Sequence, residues 1–240
     1  MALTIEDQLK HYLIPGWLYY PYKLEKETRH MEPEVRILRE LVPADRIALD
    51  IGANRGYYSY ALSKIASRVE AFEPHPALAR FHRRKLGGNV RLHEVALSNR
   101  AGSMKLYIPQ RKPGIDGHIG SSLKKVYETS SNYYSEVAVS TRTLDDYGFD
   151  NVGFIKIDVE GADMDVIEGG QATIARNRPN MVVELVGQTH SDPLACIDHI
   201  DKTFGYRARI MVEGRLEDAE AVLRQPPAEL RTHNVVFTPL

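Results

Sequence analysis

From Arg46 to Val186 the chain alternates short apolar runs with segments of helical periodicity. The runs are Ile47 to Ile51, Val69 to Phe72, Val90 to Val95, Phe154 to Val159 and Met181 to Val186. Each is nearly continuous instead of alternating apolar with polar, as expected of strands buried on both faces. Tyr57 to Ile65 reads as the helix between the first two runs, and Pro76 to Leu86 as the next. Such strands separated by helices predict an α/β fold, a parallel sheet covered on both sides. Tyr206 to Val212 and Asn234 to Thr238 are expected to add final strands, as an antiparallel pair.

Two stretches depart from this pattern. Leu9 to Tyr22 carries Tyr12, Trp17, Tyr19, Tyr20 and Tyr22, broken by Pro15, Gly16 and Pro21. Beyond it, Pro33 with Val35, Leu38, Leu41 and Val42 predicts a helix. Residues 1–44 are read as an N-terminal helical and aromatic appendage, packing on the core or covering a site, ahead of a domain over 45–240. Its aromatics suit core packing better than ligand stacking. Within the domain, 109–128 carries Gly114, Gly117, Gly120, Ser121 and Ser122 without a clear period, and reads as an inserted loop hinged on its glycines.

Composition narrows the function classes. With 240 residues, 43% apolar and 26% charged, the chain has the balance of a folded domain. A net charge of -1 leaves little long-range field to attract a polyanion, so a nucleic-acid partner is disfavoured. Cys196 is the one cysteine, which excludes an internal disulfide or a cysteine-based zinc site. No signal pattern or membrane-spanning run is present, and a soluble, cytoplasmic protein is expected.

The chemistry concentrates where the first strand meets its helix, at Asp50-Ile51-Gly52-Ala53-Asn54-Arg55-Gly56. Glycines there let the chain turn sharply and let a ligand approach its backbone. Glycine-rich loops of this kind also bind dinucleotides, but Asp50 would repel a pyrophosphate, and Tyr58 and Ser59 stand where a third small residue is expected. S-adenosylmethionine brings an ammonium and a sulfonium instead, so an acid beside the loop helps. Glu73, at the end of the second run and some twenty residues on, suits a ribose diol. Ala96, with Val95 and Leu97, offers small apolar groups for an adenine face.

The fourth run ends Lys156-Ile157-Asp158-Val159-Glu160-Gly161, at the edge where open α/β sheets bind ligands. Asp158 and Glu160 share a side by alternation; Asp158 is expected to face the methionine end of the cofactor or the acceptor hydroxyl, as a cofactor-binding residue and the first candidate at the reaction centre, with Glu160 and His190 the other catalytic candidates. Lys156 reads as an inward partner for an acid or as a strand-edge charge. Glu160 and Asp163 also suit the start of the next helix. Asp158, Glu184 and His190 would offer Mg²⁺ or Mn²⁺ a site, but strand-end acids are common and no metal is assigned. His118, in the loop, is another candidate base. The Asp-Val-Glu-Gly turn lacks the prolines and aromatic platform that flat nucleobases want, and favours a hydroxyl-rich acceptor.

Taken in order, DIGANRGYYS, AFEPHP, VALSNRAG, SSL, RTLDD and FIKIDVEGAD resemble the FkbM-type methyltransferases, over about Ile47 to Val186. The resemblance implies a Rossmann-like class I methyltransferase fold and O-methylation, typically of sugar or polyketide-like hydroxyls in natural-product and surface-glycan pathways. It implies that Asp50, Gly52, Asn54 and Gly56 hold S-adenosylmethionine, with Glu73 on the ribose. Asp163 departs from the glutamate more usual there, and the regions before Arg46 and after Glu184 are this chain's own. The expected activity is methyl transfer to a hydroxyl of a small molecule or glycan. A nicotinamide-dependent oxidoreductase and a non-catalytic cofactor-binding protein are the alternatives. Oligomeric state is not legible.

Overall fold

The structure, a computed structural model, describes residues 13–30, 32–86, 88–112, 115–116, 121–124, 134–186, 192–226, 230 and 232–240. Five parallel strands make the centre of the main sheet: β1 (Ile47–Ile51), β2 (Arg68–Phe72), β3 (Val90–His93), β8 (Val152–Ile157) and β9 (Asn180–Glu184). Beyond β9 lie β12 (Asn234–Pro239), β10 (Tyr206–Val212) and β11 (Arg215–Asp218), each antiparallel to its neighbour. The order is β11-β10-β12-β9-β8-β1-β2-β3. All the strands expected from the apolar runs are present, and the two late ones pair antiparallel.

Alternation along each strand sorts side chains onto two cores. Leu49, Ile51, Ile155, Ile157 and Val183 pack on one face of the sheet. Ala48, Phe154 and Val182 pack on the other, against Tyr58 and Leu62 of α3 (Tyr57–Ser63). Below that second face also lie Leu38 and Leu41 of α2 (Leu38–Leu41). Residues opposite one another in register share a face, so Asp50 stands beside Lys156 on the second face. The same parity places Glu184 opposite Asn234 there. A row of polar groups thus runs through an otherwise apolar layer.

The segment before β1 differs from its expectation. A 15-residue helix, α1 (Gly16–His30), runs through Pro21, and the helix predicted from Pro33 is a 3₁₀ turn (Pro33–Ile37) leading into the single turn of α2. Tyr19 and Tyr20 of α1 are buried, with Tyr20 stacked 5.0 Å from Tyr60 and Tyr19 edge-on to Phe81 of α4 (Pro76–Lys85). Burying three aromatic rings outweighs the single backbone bond that Pro21 withholds.

A second sheet lies where no strands were expected. Its order is β4-β7-β5-β6, from β4 (Ala96–Leu97), β5 (Gly102–Lys112), β6 (Ile115–Asp116) and β7 (Tyr134–Arg142). Residues 109–112, read as the start of a loop, belong to β5, antiparallel to β7 over eight paired positions. Leu106, Ile108 and Val139 bury one face of this sheet, with Ala96. His118 and much of 113–133 lie outside the described residues.

Candidate active site

Chain order reverses between β1 and β8: the chain leaves β1 toward β2 and β3, and leaves β8 toward β9. Such a reversal opens a crevice at the carboxyl ends of the two strands, because their following connections diverge to opposite sides. Here it holds a cavity of about 430 Å³. Asp50, Gly52, Asn54, Glu73, Ala96 and Asp158 all line it, as does Glu160. His190 lies outside the described residues.

The floor is the β1 loop. At Gly52 the backbone turns with φ +84°, and an added Cβ would lie 1.8 Å from the Asp158 carbonyl oxygen. Only glycine lets the loops after β1 and β8 close on each other. Gly56 does not line the cavity; its φ is +79°, and an added Cβ would strike the His82 ring at 2.6 Å. Its role is to seat that ring. His82 Nε2 lies 3.2 Å from Ser59 Oγ, which donates to Asp50 Oδ2 at 2.5 Å. Since the Ser59 hydrogen is spent on Asp50, His82 is the neutral tautomer that donates to Ser59. Burial holds the His82 pKa down to about 4, so the imidazole stays neutral. Burial pushes Asp50 up to about 6, with the Ser59 hydroxyl opposing.

Glu73 is fixed by two backbone donors, Asn54 N–H to Oε2 and His75 N–H to Oε1, both at 2.7 Å. Each oxygen keeps a second lone pair for a diol. Burial pushes Glu73 up to about 8, against those two bonds. Phe72, Pro74, Leu78, Val95, Ala96 and Leu97 add apolar lining to the same cavity, of the kind that suits the face of a flat ring. Ser121, Ser122 and Leu123, from beyond β6, face the same cavity, and Ser122 Oγ donates to the Glu160 carbonyl at 2.6 Å. Glu160 takes φ 55° at this turn. Asp163 is fully buried and accepts from the Val159 and Gly161 N–H groups, so it shapes the turn.

The β8 side of the cavity carries the charge. Lys156 is 2% exposed, with its ammonium 2.8 Å from Asn234 Oδ1, 3.3 Å from Asp158 and 5.5 Å from the Tyr58 ring centre. Burial alone would depress it, yet Asp158, Glu32, Glu184 and Glu34 hold it above the ordinary lysine range. Burial would likewise raise Asp158, but Lys156 holds it below the ordinary aspartate range. Glu184, beside Asp158, is driven the other way by burial and by that neighbouring charge. Burial and the neighbouring charge thus favour the neutral form of Glu184, while Lys156 favours the ionised form of Asp158.

Sequence reasoning missed Glu32, Glu34, Ser59 and His82. Ser59 and His82 lie at spacings that carry no separate signal, and the two glutamates sit in a charged stretch that belongs to no motif. Lys156 proves to be the inward partner of an acid. Of the metal set, Asp158 and Glu184 are brought together, and among the described residues no group of three His, Cys, Asp or Glu is placed to hold a metal.

These features fit a sulfonium nucleoside: a backbone cradle a Cβ would fill, apolar lining beside a diol acceptor, and buried acids where cations would lie. The sequence pattern of the methyltransferase FkbM domain matches residues 50–208. The 2-O-methyltransferase NoeI of Sinorhizobium fredii is 29% identical over 170 residues, covering 65% of this chain and 70% of that one. Methyltransferase 1 of Beauveria bassiana is 26% identical over 185 residues, covering 68% and 74%. Among solved structures, the FkbM methyltransferase of Methylobacillus flagellatus superposes with a TM-score of 0.51 at 14% identity, over 80% of this chain. This chain spans 43% of that protein's length, and the likeness is one of fold. With the FkbM pattern matched across most of a class I methyltransferase fold, the chain belongs to the FkbM family of S-adenosylmethionine-dependent methyltransferases.

Proposed function

We propose that this methyltransferase is an O-methyltransferase acting on a hydroxyl of a sugar, glycan or natural-product small molecule. One observation carries the reading: Asp158, 3.3 Å from the buried Lys156 ammonium and held by it below the ordinary aspartate range, faces the cavity beside Glu184. A hydroxyl needs a proton acceptor as its oxygen gains a bond, and an ionised carboxylate is such a group. The relative named as a 2-O-methyltransferase supports the same chemistry.

In this reading Glu73 takes the ribose hydroxyls, the apolar lining at Ala96 takes the adenine, and the loop of Asp50, Gly52 and Asn54 lies along the nucleoside. Gly56 acts from behind, by seating His82 against Ser59. The bound cofactor supplies a methyl group activated by a sulfonium sulfur. Asp158 orients the acceptor hydroxyl and receives its proton as the new oxygen–carbon bond forms. Lys156 keeps Asp158 charged until that moment and, buried, excludes water from beneath it. Glu184, hydrogen-bonded to Asp158, fixes its orientation. Glu160, which lines the same cavity, is assigned to the acceptor rather than the cofactor.

Substituting Asp158→Asn tests the assignment. We expect kcat to fall about 10²- to 10⁴-fold, the usual worth of a positioned base. Affinity for S-adenosylhomocysteine should change less than about threefold, too little to account for that loss. Full activity in D158N would remove Asp158 from the chemistry.

A further inference from the structure

The wall of the cavity nearest Lys156 comes from outside the matched domain. Glu32 lies in the connection between α1 and the 3₁₀ turn, 18 residues before the first matched position, and lines the cavity. It is 8% exposed. Its Oε1 accepts from the Tyr57 hydroxyl at 2.9 Å, while Oε2 has no hydrogen-bond partner among the described residues. Glu32 stands at the N-terminal end of the 3₁₀ turn, yet its side chain makes no capping bond there. A buried carboxylate oxygen left without a donor is costly, and such groups are found where a ligand supplies the missing partner.

Position and charge identify the partner. Glu32 interacts with Lys156, Asp158 and Glu34, whereas Glu73 interacts with Asp50 and Asp158. Both glutamates line one cavity, Glu73 just past β2 and Glu32 on the side of Lys156 in β8, with β1 and its Asp50 between those two strands. A nucleoside anchored by its ribose at Glu73 extends its amino-acid tail toward Glu32. That tail ends in an α-ammonium, a cationic triple donor suited to a buried carboxylate. The segment is also tied to the core by hydrogen bonds. Glu34 is fully buried and accepts from Thr232 and from Asn234, whose amide oxygen receives Lys156. Tyr20 of α1 donates to the Arg55 carbonyl in the β1 loop at 3.0 Å.

We propose that Glu32 is a cofactor-binding residue that receives the α-ammonium of the methionine moiety, so that the segment preceding the family domain completes the cofactor site. The inference rests on the nucleoside orientation assigned above. It makes the N-terminal segment a working wall of the site, and a chain trimmed to the family domain would lack the group that reads the amino acid.

Calorimetric titration with two probes tests it: S-adenosylhomocysteine, and the same thioether with hydrogen in place of the α-ammonium. Wild type should bind the first about 10- to 100-fold more tightly, the worth of one charge-assisted bond. In E32Q the homocysteine compound should weaken by a similar factor. The deaminated probe should keep its affinity, so discrimination collapses. E32D, with the charge retained on a shorter stem, should recover part of it. The amide oxygen introduced by E32Q can still accept from Tyr57, and thermal melting should show this variant as stable as wild type. Discrimination undiminished in folded E32Q overturns the proposal. So does an unchanged S-adenosylhomocysteine affinity accompanied by a raised acceptor KM, which would turn Glu32 toward the acceptor. Wild type that binds both probes equally overturns the Glu32 assignment, whereas failure of folded wild type to bind either probe overturns the nucleoside site itself.

Discussion

Lys156 shows how one residue sets the state of several others. A lysine at 2% exposure is sustained by the carboxylates around it, and it keeps Asp158 ionised in return. Replacing Lys156 with Met leaves those acids uncompensated, and removing one partner of a buried ion pair costs about 3–5 kcal/mol. We expect K156M to melt markedly lower than wild type. Whatever activity remains should show its acid limb displaced to higher pH, because Asp158 without its cation titrates higher. An unshifted limb in folded K156M would mean that Asp158 is not the titrating base. Parity along FIKIDVEGAD makes Asp158 and Lys156 legible as neighbours in the sequence. Glu32 is not legible, because its burial depends on packing between α1 and α3 that no local pattern encodes. Gly52 is intermediate: the motif marks it, but the reason, the Asp158 carbonyl 1.8 Å from any Cβ, lies over 100 residues away.

Three elements meet behind the cofactor loop through the chain His82, Ser59 and Asp50, one residue each from α4, α3 and β1. Such a line of buried bonds fixes the strand end against both helices, and each member leaves an unsatisfied group if removed. Ser59→Ala should therefore lower stability by about 1–3 kcal/mol, read from denaturant midpoints. It should also weaken S-adenosylhomocysteine binding, because Asp50 loses its orienting donor. Stability and affinity both unchanged would mean that Asp50 is held by other contacts. At this scale the parallel sheet was readable because continuous apolar runs are the mark of strands covered on both faces. The second sheet escaped because β5 and β7 bury one face only. Leu106 and Ile108 alternate with Lys105 and Tyr107, and Val137, Val139 and Thr141 alternate with exposed residues. The period was there, but in the weaker form that a one-sided antiparallel pair leaves.

For the whole molecule, a net charge of -1 conceals a strong internal asymmetry. Burial pushes both Glu32 and Glu73 up to about 8 and Asp50 to about 6, so the folded protein holds protons that the unfolded chain releases. Groups raised in this way contribute stability that is present below the ordinary carboxylate range and lost as pH rises through about 8. The protein alone should accordingly melt at falling temperature between about pH 5 and pH 8. Added S-adenosylmethionine, whose cations favour the ionised acids, should flatten that fall. A melting temperature that climbs across the window without ligand would contradict the buried-acid account. Composition could not reveal this, since it counts charges without placing them.

The most direct measurement of the central claim is where the methyl group goes. The intact protein would be incubated with S-adenosylmethionine carrying carbon-13 in its methyl group and a pooled saccharide and small-metabolite extract, and the products examined by carbon–proton correlation spectra. The account predicts new signals in the O-methyl region, absent when D158N replaces wild type. Label appearing on nitrogen or carbon, or wild-type signals undiminished in D158N, would contradict it.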